Sequence, residues 1–256
     1  MNKLDNHEQA LRDNVFFTKE KWPQFNLLFD DIKKISKETK KNSTVIFLER
    51  AGLYGNISLF APFFNHKNFI SIDCSSGKIS KRGAYNKKYV TNKNIIKVPI
   101  NYHFNYKNIK LKTNCADMIA VPNLLHHIFD YKLFFNQCKK ILKKDGKIYI
   151  FEPLIRELHQ KPDDYFRFTP FSLREILKQA GFKKFTFQQC GGPFTASSYC
   201  LDQAIQFLPK NKRDYFKKYF LLNKEWNFQK MDKKYKKNLV RKNSSFPVSF
   251  SLVASF

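Results

Sequence analysis

Runs of consecutive apolar residues constrain this chain most: TVIFLE (Thr44 to Glu49), NFISIDC (Asn68 to Cys74), the segment from Asp117 to Val121, and KIYIFE (Lys147 to Glu152). A strand with one wet face alternates polar and apolar residues. A continuous run suits a strand buried on both faces, as in a parallel sheet covered by helices. Parallel neighbours need long crossover connections, and the intervening stretches supply them. The pattern therefore predicts a doubly wound α/β architecture, with strand, loop, helix and strand opening a nucleotide-binding unit.

The punctuation between the runs is specific. Phe25, Leu27, Leu28, Ile32 and Ile35 recur at helical spacing between Pro23 and Lys41, and ISLFAPFF (Ile57 to Phe64) reads as a short helix. A third strand is expected at Ile95 to Ile100 and a fourth at Asp117 to Val121. Asp130 is a candidate N-cap for a helix whose apolar face carries Leu133, Phe134, Cys138, Ile141 and Leu142. Lys144-Asp145-Gly146 turns the chain into KIYIFE. Thr169 then caps a helix that has Pro170 at its first position, Leu173, Ile176, Leu177 and Ala180 inward, and Gly181 as its stop. The strand FKKFTFQQ follows, and a last strand is expected near Pro247 to Ser255.

At 256 residues, 43% of them hydrophobic and 16% aromatic, the chain can bury one sizeable core. A single domain over 1–256 is expected, with an N-terminal helical extension over about 1–42 and a basic helical insertion over about 196–242. The net charge of +26 would attract phosphate-rich partners. Nearly all of it is Lys, however, and a codon bias toward Lys, Asn, Ile, Phe and Tyr explains that more simply than phosphate recognition, which favours the planar fork of Arg. Five dispersed cysteines without a CxxC pair argue against a zinc or redox motif and fit a reducing cytoplasm. The polar N-terminus lacks a signal-peptide pattern, and no apolar run approaches the roughly 20 residues that span a bilayer.

Three strings in order, DMIAVPNLLHHIFD, LKKDGKIYIFEP and PDDYFRFTPFSLREILKQAGF, resemble the class I S-adenosylmethionine-dependent methyltransferases. HQKPDDYFRFTP resembles the HxxPHDYxRFTP segment of a branch associated with polysaccharide modification, with Asp163 in place of a His. The resemblance implies a Rossmann-like, seven-stranded, mostly parallel sheet whose last strand forms an antiparallel hairpin with the sixth. It also implies S-adenosyl-L-methionine as cofactor and O-methylation of a saccharide or other small-molecule acceptor. A non-catalytic binding or scaffold protein of the same fold and an RNA methyltransferase are the alternatives. VPNL at Val121 to Leu124 is a poor match to the signature of base amino-group methylation.

Within that resemblance, Glu49-Arg50-Ala51-Gly52-Leu53-Tyr54-Gly55-Asn56 stands where the family has its glycine-rich cofactor loop. Gly52 and Gly55 meet the need for a tight turn with exposed amides, whereas Arg50, Leu53 and Tyr54 replace small residues. Glu49, Gly52, Gly55 and Asp73 are the candidate cofactor residues, with Asp73 placed to take the ribose hydroxyls. Asp117 matches a position of structural rather than ligand-binding role. His127 and His159 are the candidate bases, and Asp163, Tyr165 and Arg167 the candidate acceptor-binding residues. Arg167 could instead pair with Asp163 or Asp164 while Phe166 and Phe168 cover the core.

Overall fold

A computed structural model describes residues 2–13, 23–51, 55–64, 68–74, 91–216, 218–219, 228–235 and 245–256. Helices α1 (Lys3–Asp13) and α2 (Phe25–Glu38) precede strand β1 (Val45–Glu49). Strands β2 (Ile57–Ser58), β3 (Phe69–Asp73), β4 (Val98–Pro99), β5 (Tyr102–His103) and β6 (Ala116–Pro122) follow. Next come α3 (Tyr131–Ile141), β7 (Leu142–Pro153), α4 (Pro170–Gln179) and β8 (Lys184–Cys190). Helices α5 (Pro193–Ile205), α6 (Lys210–Phe216) and α7 (Phe228–Tyr235) lead to the final strand β9 (Ser249–Ser255).

Seven strands form one sheet in the order β5-β3-β1-β6-β7-β9-β8. Neighbours are parallel except β9, which runs antiparallel to both β7 and β8. The continuous apolar runs are buried on both faces as expected. Ile46 and Leu48 of β1, Ile119 and Val121 of β6, and Ile148 and Ile150 of β7 enter one core with Phe134 and Cys138 of α3 and Leu173 and Leu177 of α4. The intervening Val45, Phe47, Ala120, Tyr149 and Phe151 enter a second core with Leu11 of α1 and Phe25, Leu28, Phe29 and Ile32 of α2. Each such Phe or Leu contributes about 1.5–3 kcal/mol by leaving water, so the two layers of helix hold the sheet from both sides.

Three segments differ from the sequence expectation. Lys144-Asp145-Gly146, expected as a turn, lie within the strand Leu142–Pro153, where a bulge between the Ala116–Leu142 and Met118–Lys147 pairs takes them up. Residues 57–64 are not a helix: Ile57–Ser58 pair antiparallel with Val98–Pro99, and only Ala61–Phe63 make a 3-10 turn around Pro62. The strand expected at Ile95 to Ile100 contributes Val98–Pro99 to that separate ribbon, while Tyr102–His103 take the edge of the main sheet beside β3. Pro99 has no N–H to give a ladder, and Asn101 makes the transition. Its Oδ1 accepts from the Ser71 amide at 2.8 Å, and its own amide donates to the Ser71 carbonyl at 3.1 Å.

The helix caps are as the sequence predicts. The Asp130 carboxylate accepts from the Leu133 amide at 3.0 Å, and Thr169 and Ser172 form a reciprocal capping box. Gly181, at φ +99°, lets the chain leave α4 in a conformation a side chain would resist. In the insertion, Asp232 of α7 accepts from the Phe194 and Thr195 amides at 3.0 and 2.9 Å, placing a carboxylate at the N-terminus of α5. Trp226 and residues 236–244 of the basic insertion lie outside the described residues. Among the described residues no helix is long and apolar enough to cross a membrane. Replacing the cap, Thr169→Ala, should cost about 1 kcal/mol. Urea denaturation should show a lowered midpoint with an unchanged slope.

Candidate active site

Strand order reverses between β1 and β6, since β1 has β3 on one side and β6 on the other. Helices on opposite faces leave a crevice at the carboxyl ends of these strands, where such folds take ligands. Glu49 and Asp73 end adjacent strands in register and are each 2% exposed. Ser58 Oγ donates to Glu49 Oε1 at 2.6 Å, and Glu49 Oε2 is buried with no hydrogen-bond partner. Burial pushes the Glu49 carboxyl up to about 8; the Ser58 hydrogen bond opposes this and the nearby charge of Asp73 adds to it. Asp73 Oδ2 lies 3.3 Å from His103 Nδ1.

Gly55, at φ +73°, carries the turn after β1, and the Asn56 amide closes it onto the Ala51 carbonyl at 3.0 Å. Gly52, Leu53 and Tyr54 lie outside the described residues. Between this turn and β6 is a cavity of about 80 Å³ lined by Arg50, Cys74, Leu124, His127, Asp163 and Tyr165. Arg50 is 7% exposed, and its charge adds to the burial and the His126 charge that depress the His127 pKa.

Beyond β6, Asn123 at φ +56° turns the chain into a 3-10 segment, Leu125–His127. Glu152, near the end of β7, receives it: the Leu125 amide donates to Oε1 at 2.7 Å, and His126 Nδ1 lies 2.6 Å from Oε2. His126 and Glu152 are fully buried, and burial drives both toward their neutral forms. His126 Nε2 faces His159 Nε2 at 3.4 Å. The His159 amide donates to Asp164 Oδ2 at 2.9 Å, and its Nδ1 lies 3.2 Å from the Glu157 carbonyl and 3.1 Å from Asp164 Oδ2. His127 Nδ1 makes a short hydrogen bond to the Asp163 carbonyl. Burial also lowers the His127 and His159 pKa values, the latter to about 4 with Arg156 contributing.

The loop after β7 is clamped to this turn. The Tyr165 and Phe166 amides both donate to the His126 carbonyl, at 2.9 and 3.3 Å. Arg167 grips Asp164 with two bonds of 2.6 and 2.9 Å, while the Asp163 carboxylate accepts from the Tyr165 hydroxyl at 3.0 Å. Of the two acids expected as partners of Arg167, the structure selects Asp164. Phe168 enters the core beneath, with Phe166 packed against it. His127, Asp163 and Tyr165 thus share one cavity wall, His159 stands behind it, and Arg167 is engaged within the loop.

The sequence reading anticipated Asp164 only as a partner of Arg167 and missed the contributions of Glu152 and Glu157. A signal for Glu152 was present: it is the one acid within a run otherwise buried on both faces, so it had to find a buried partner.

Residues 53–150 match the protein family described as methyltransferase domain. No curated protein matches the sequence. Among solved structures, the chain is similar to Haemonchus contortus phosphoethanolamine N-methyltransferase 2, determined with phosphomonomethylethanolamine and S-adenosylhomocysteine. Identity is 16% and the TM-score 0.52, over 98% of this chain and 57% of that one. In the S-adenosyl-L-methionine complex of the same enzyme the chain spans 56% of the solved length at a TM-score of 0.50 and 15% identity, again over 98% of this chain. An S-adenosylmethionine-dependent methyltransferase from Archaeoglobus fulgidus is 13% identical with a TM-score of 0.50, over 95% of this chain and 100% of that one. The chain has the class I methyltransferase fold, and its residues 53–150 match the methyltransferase-domain family.

Proposed function

We propose that this protein is an S-adenosylmethionine-dependent methyltransferase that methylates a hydroxyl oxygen of a saccharide or other small molecule. The observation that carries the reading is the pair of buried carboxylates, Glu49 and Asp73, ending adjacent parallel strands at the point of reversal, beside a cavity that His127 lines. These residues fit the cofactor. Asp73 would take ribose hydroxyls, Glu49 offers an unpartnered buried oxygen, and Gly52 and Gly55 would let backbone approach the ligand. The solved neighbours determined with S-adenosylmethionine or S-adenosylhomocysteine, and the family match over 53–150, support the same assignment.

Methyl transfer from a sulfonium is an in-line displacement, so holding the acceptor at attack distance supplies most of the catalysis. His127, neutral and with Nδ1 fixed on the Asp163 carbonyl, has its Nε2 lone pair left to accept from an acceptor hydroxyl. His159 supports it from the loop, and Asp163, Tyr165 and Arg167 shape the acceptor side. The HxxPHDYxRFTP-like segment supports a saccharide acceptor, and the dispersed cysteines support a cytoplasmic location. A non-catalytic binding protein of the same fold is the second reading, favoured by the buried Arg50 and the narrowness of the cavity it lines.

Calorimetric titration with S-adenosylmethionine and S-adenosylhomocysteine separates the two, and no binding at millimolar ligand would sink the enzyme. Asp73→Ala should weaken binding about tenfold or more, the effect of losing hydrogen bonds to a charged group. His127→Ala and His159→Ala should slow methyl transfer while leaving cofactor affinity intact. Wild-type rates in both would remove the histidines from the mechanism.

The Glu49 carboxyl, raised from 4.5 to about 8, also makes stability depend on pH. Between those values the folded chain holds a proton that the unfolded chain releases, so stability falls as pH rises through the window. Glu49→Gln should flatten that decline in urea denaturation series across the window, and an unchanged slope would show that Glu49 is ionised in the folded protein.

A further inference from the structure

We propose that His126, His127 and His159 form a binding site for a divalent transition-metal ion of the nitrogen-preferring class, with Zn²⁺ as the best match to the donor set. One ligand atom from each of these residues and from Asp164 lies within 4.8 Å of the others. The site rests on which ring nitrogens are already engaged. His127 Nδ1 faces the Asp163 carbonyl, and His159 Nδ1 faces the Glu157 carbonyl at 3.2 Å. A carbonyl only accepts, so both Nδ1 atoms carry the proton and both Nε2 atoms present bare lone pairs. His126 Nδ1 is held by the Glu152 carboxylate at 2.6 Å, leaving its Nε2 as the third available donor.

The His126 and His159 Nε2 atoms stand 3.4 Å apart. Two nitrogens at Zn–N distances of about 2.0–2.1 Å across a tetrahedral centre are separated by about 3.3 Å. The remaining donors lie within 4.8 Å, so closing on an ion takes small shifts of the two stretches that carry the rings, with the Nδ1 contacts kept. Metal-bound imidazoles characteristically pass their other N–H to a carboxylate or backbone carbonyl, which fixes tautomer and orientation. All three rings have that arrangement: Glu152 for His126, the Asp163 carbonyl for His127, and the Glu157 carbonyl with Asp164 for His159.

Charge is also accounted for. Arg156 and Arg167 face the cluster, but Arg167 is paired with Asp164 at 2.6 Å and Arg156 lies 4.0 Å from the Glu157 carboxylate, with Glu152 as a further buried acid. The rings come from two stretches bonded to each other through the His126 carbonyl, so the donors are pre-positioned rather than gathered from mobile surface. Three imidazoles leave one coordination position for Asp164 or for an exogenous oxygen next to the cavity that His127 lines, and with the ion bound His127 Nε2 is a ligand and no longer an acceptor for a substrate hydroxyl, so uptake of metal would exclude that role. The competing arrangement is a chain of hydrogen bonds closed by a proton on Glu152. It satisfies the contact between His126 and His159 and leaves His127 outside the chain.

The test uses the full chain, freed of metal by dialysis against a chelator and titrated with Zn²⁺ at neutral pH. Uptake of about one equivalent is expected, and Co²⁺ in its place should give the intense visible bands of a low-coordinate centre. His159→Ala, in a loop outside both cores, should weaken Zn²⁺ binding by tenfold or more. Glu152→Gln, which keeps an oxygen for the Leu125 amide but replaces the carboxylate that holds His126 Nδ1, should weaken it roughly tenfold to hundredfold. His103→Ala, away from the cluster, should bind as wild type does. Absence of uptake by the wild-type chain, or uptake that His159→Ala leaves unchanged, overturns the site in favour of the proton-closed chain. The wild-type titration decides alone if a variant fails to fold. Neither readout involves S-adenosylmethionine, so a failure here is distinct from a failure of the methyltransferase reading.

Discussion

The parallel pairing of β1 with β6, both buried on both faces, is the constraint on which the rest of the structure depends. Parallel strands cannot be joined by tight turns, so each must be linked by a crossover that packs against one face of the sheet. Alternate residues of β1 point into different cores, Ile46 and Leu48 to the α3/α4 side, Val45 and Phe47 to the α1/α2 side. Because strand order reverses between β1 and β6, their carboxyl ends open into a crevice of the kind in which such folds take ligands. Glu49, Asp73 and the turn carrying His126 and His127 stand there as a consequence of chain topology.

The second level of organisation is the grip of Glu152 on the turn after β6. Its two oxygens receive the Leu125 amide and His126 Nδ1, and the His126 carbonyl in turn receives the Tyr165 and Phe166 amides. One carboxylate near the end of β7 therefore fixes the turn from β6, and that turn fixes the loop leading to α4. A loop held this way presents Asp163 and Tyr165 with little freedom. That is the condition for positioning a reactant by geometry rather than by flexible capture.

How much of this could be read in advance depended on how local the causes were. The caps of α3 and α4 were legible because Asp130, Thr169, Pro170 and Gly181 act within one turn of their own positions. The strands were legible because burial on both faces leaves a continuous apolar run. The β2/β4 ribbon and the short edge strand Tyr102–His103 were not, because strands of two residues have no pattern and their pairing joins positions far apart in sequence. In the proposed site, Asp73 and His127 were singled out by their places at the end of one strand and just after another. The partnership of His126, Glu152 and His159 exists only through contacts spanning 26 and 33 residues, and no spacing rule reports it.

The acids at the two ends of the sheet show where the chain carries unfavourable electrostatics. At the amino end of β6, burial acts to raise the Asp117 pKa, but Lys143 at 2.8 and 2.9 Å and the Thr44 amide at 2.8 Å more than offset it, and the carboxyl lies below its usual value. That acid stabilises the fold and is fully partnered. At the carboxyl end, Glu49 and Glu152 are both raised to about 8 by burial, and Glu49 keeps an oxygen with no partner. Burying such groups costs free energy that apolar side chains of similar size would not; Glu152 offsets it by fixing the turn after β6, whereas Glu49 holds only the Ser58 hydroxyl. Perturbed acids and imidazoles gather at one end of the sheet while the acid at the other end is conventionally paired, and this is the contrast that the proposed site would produce.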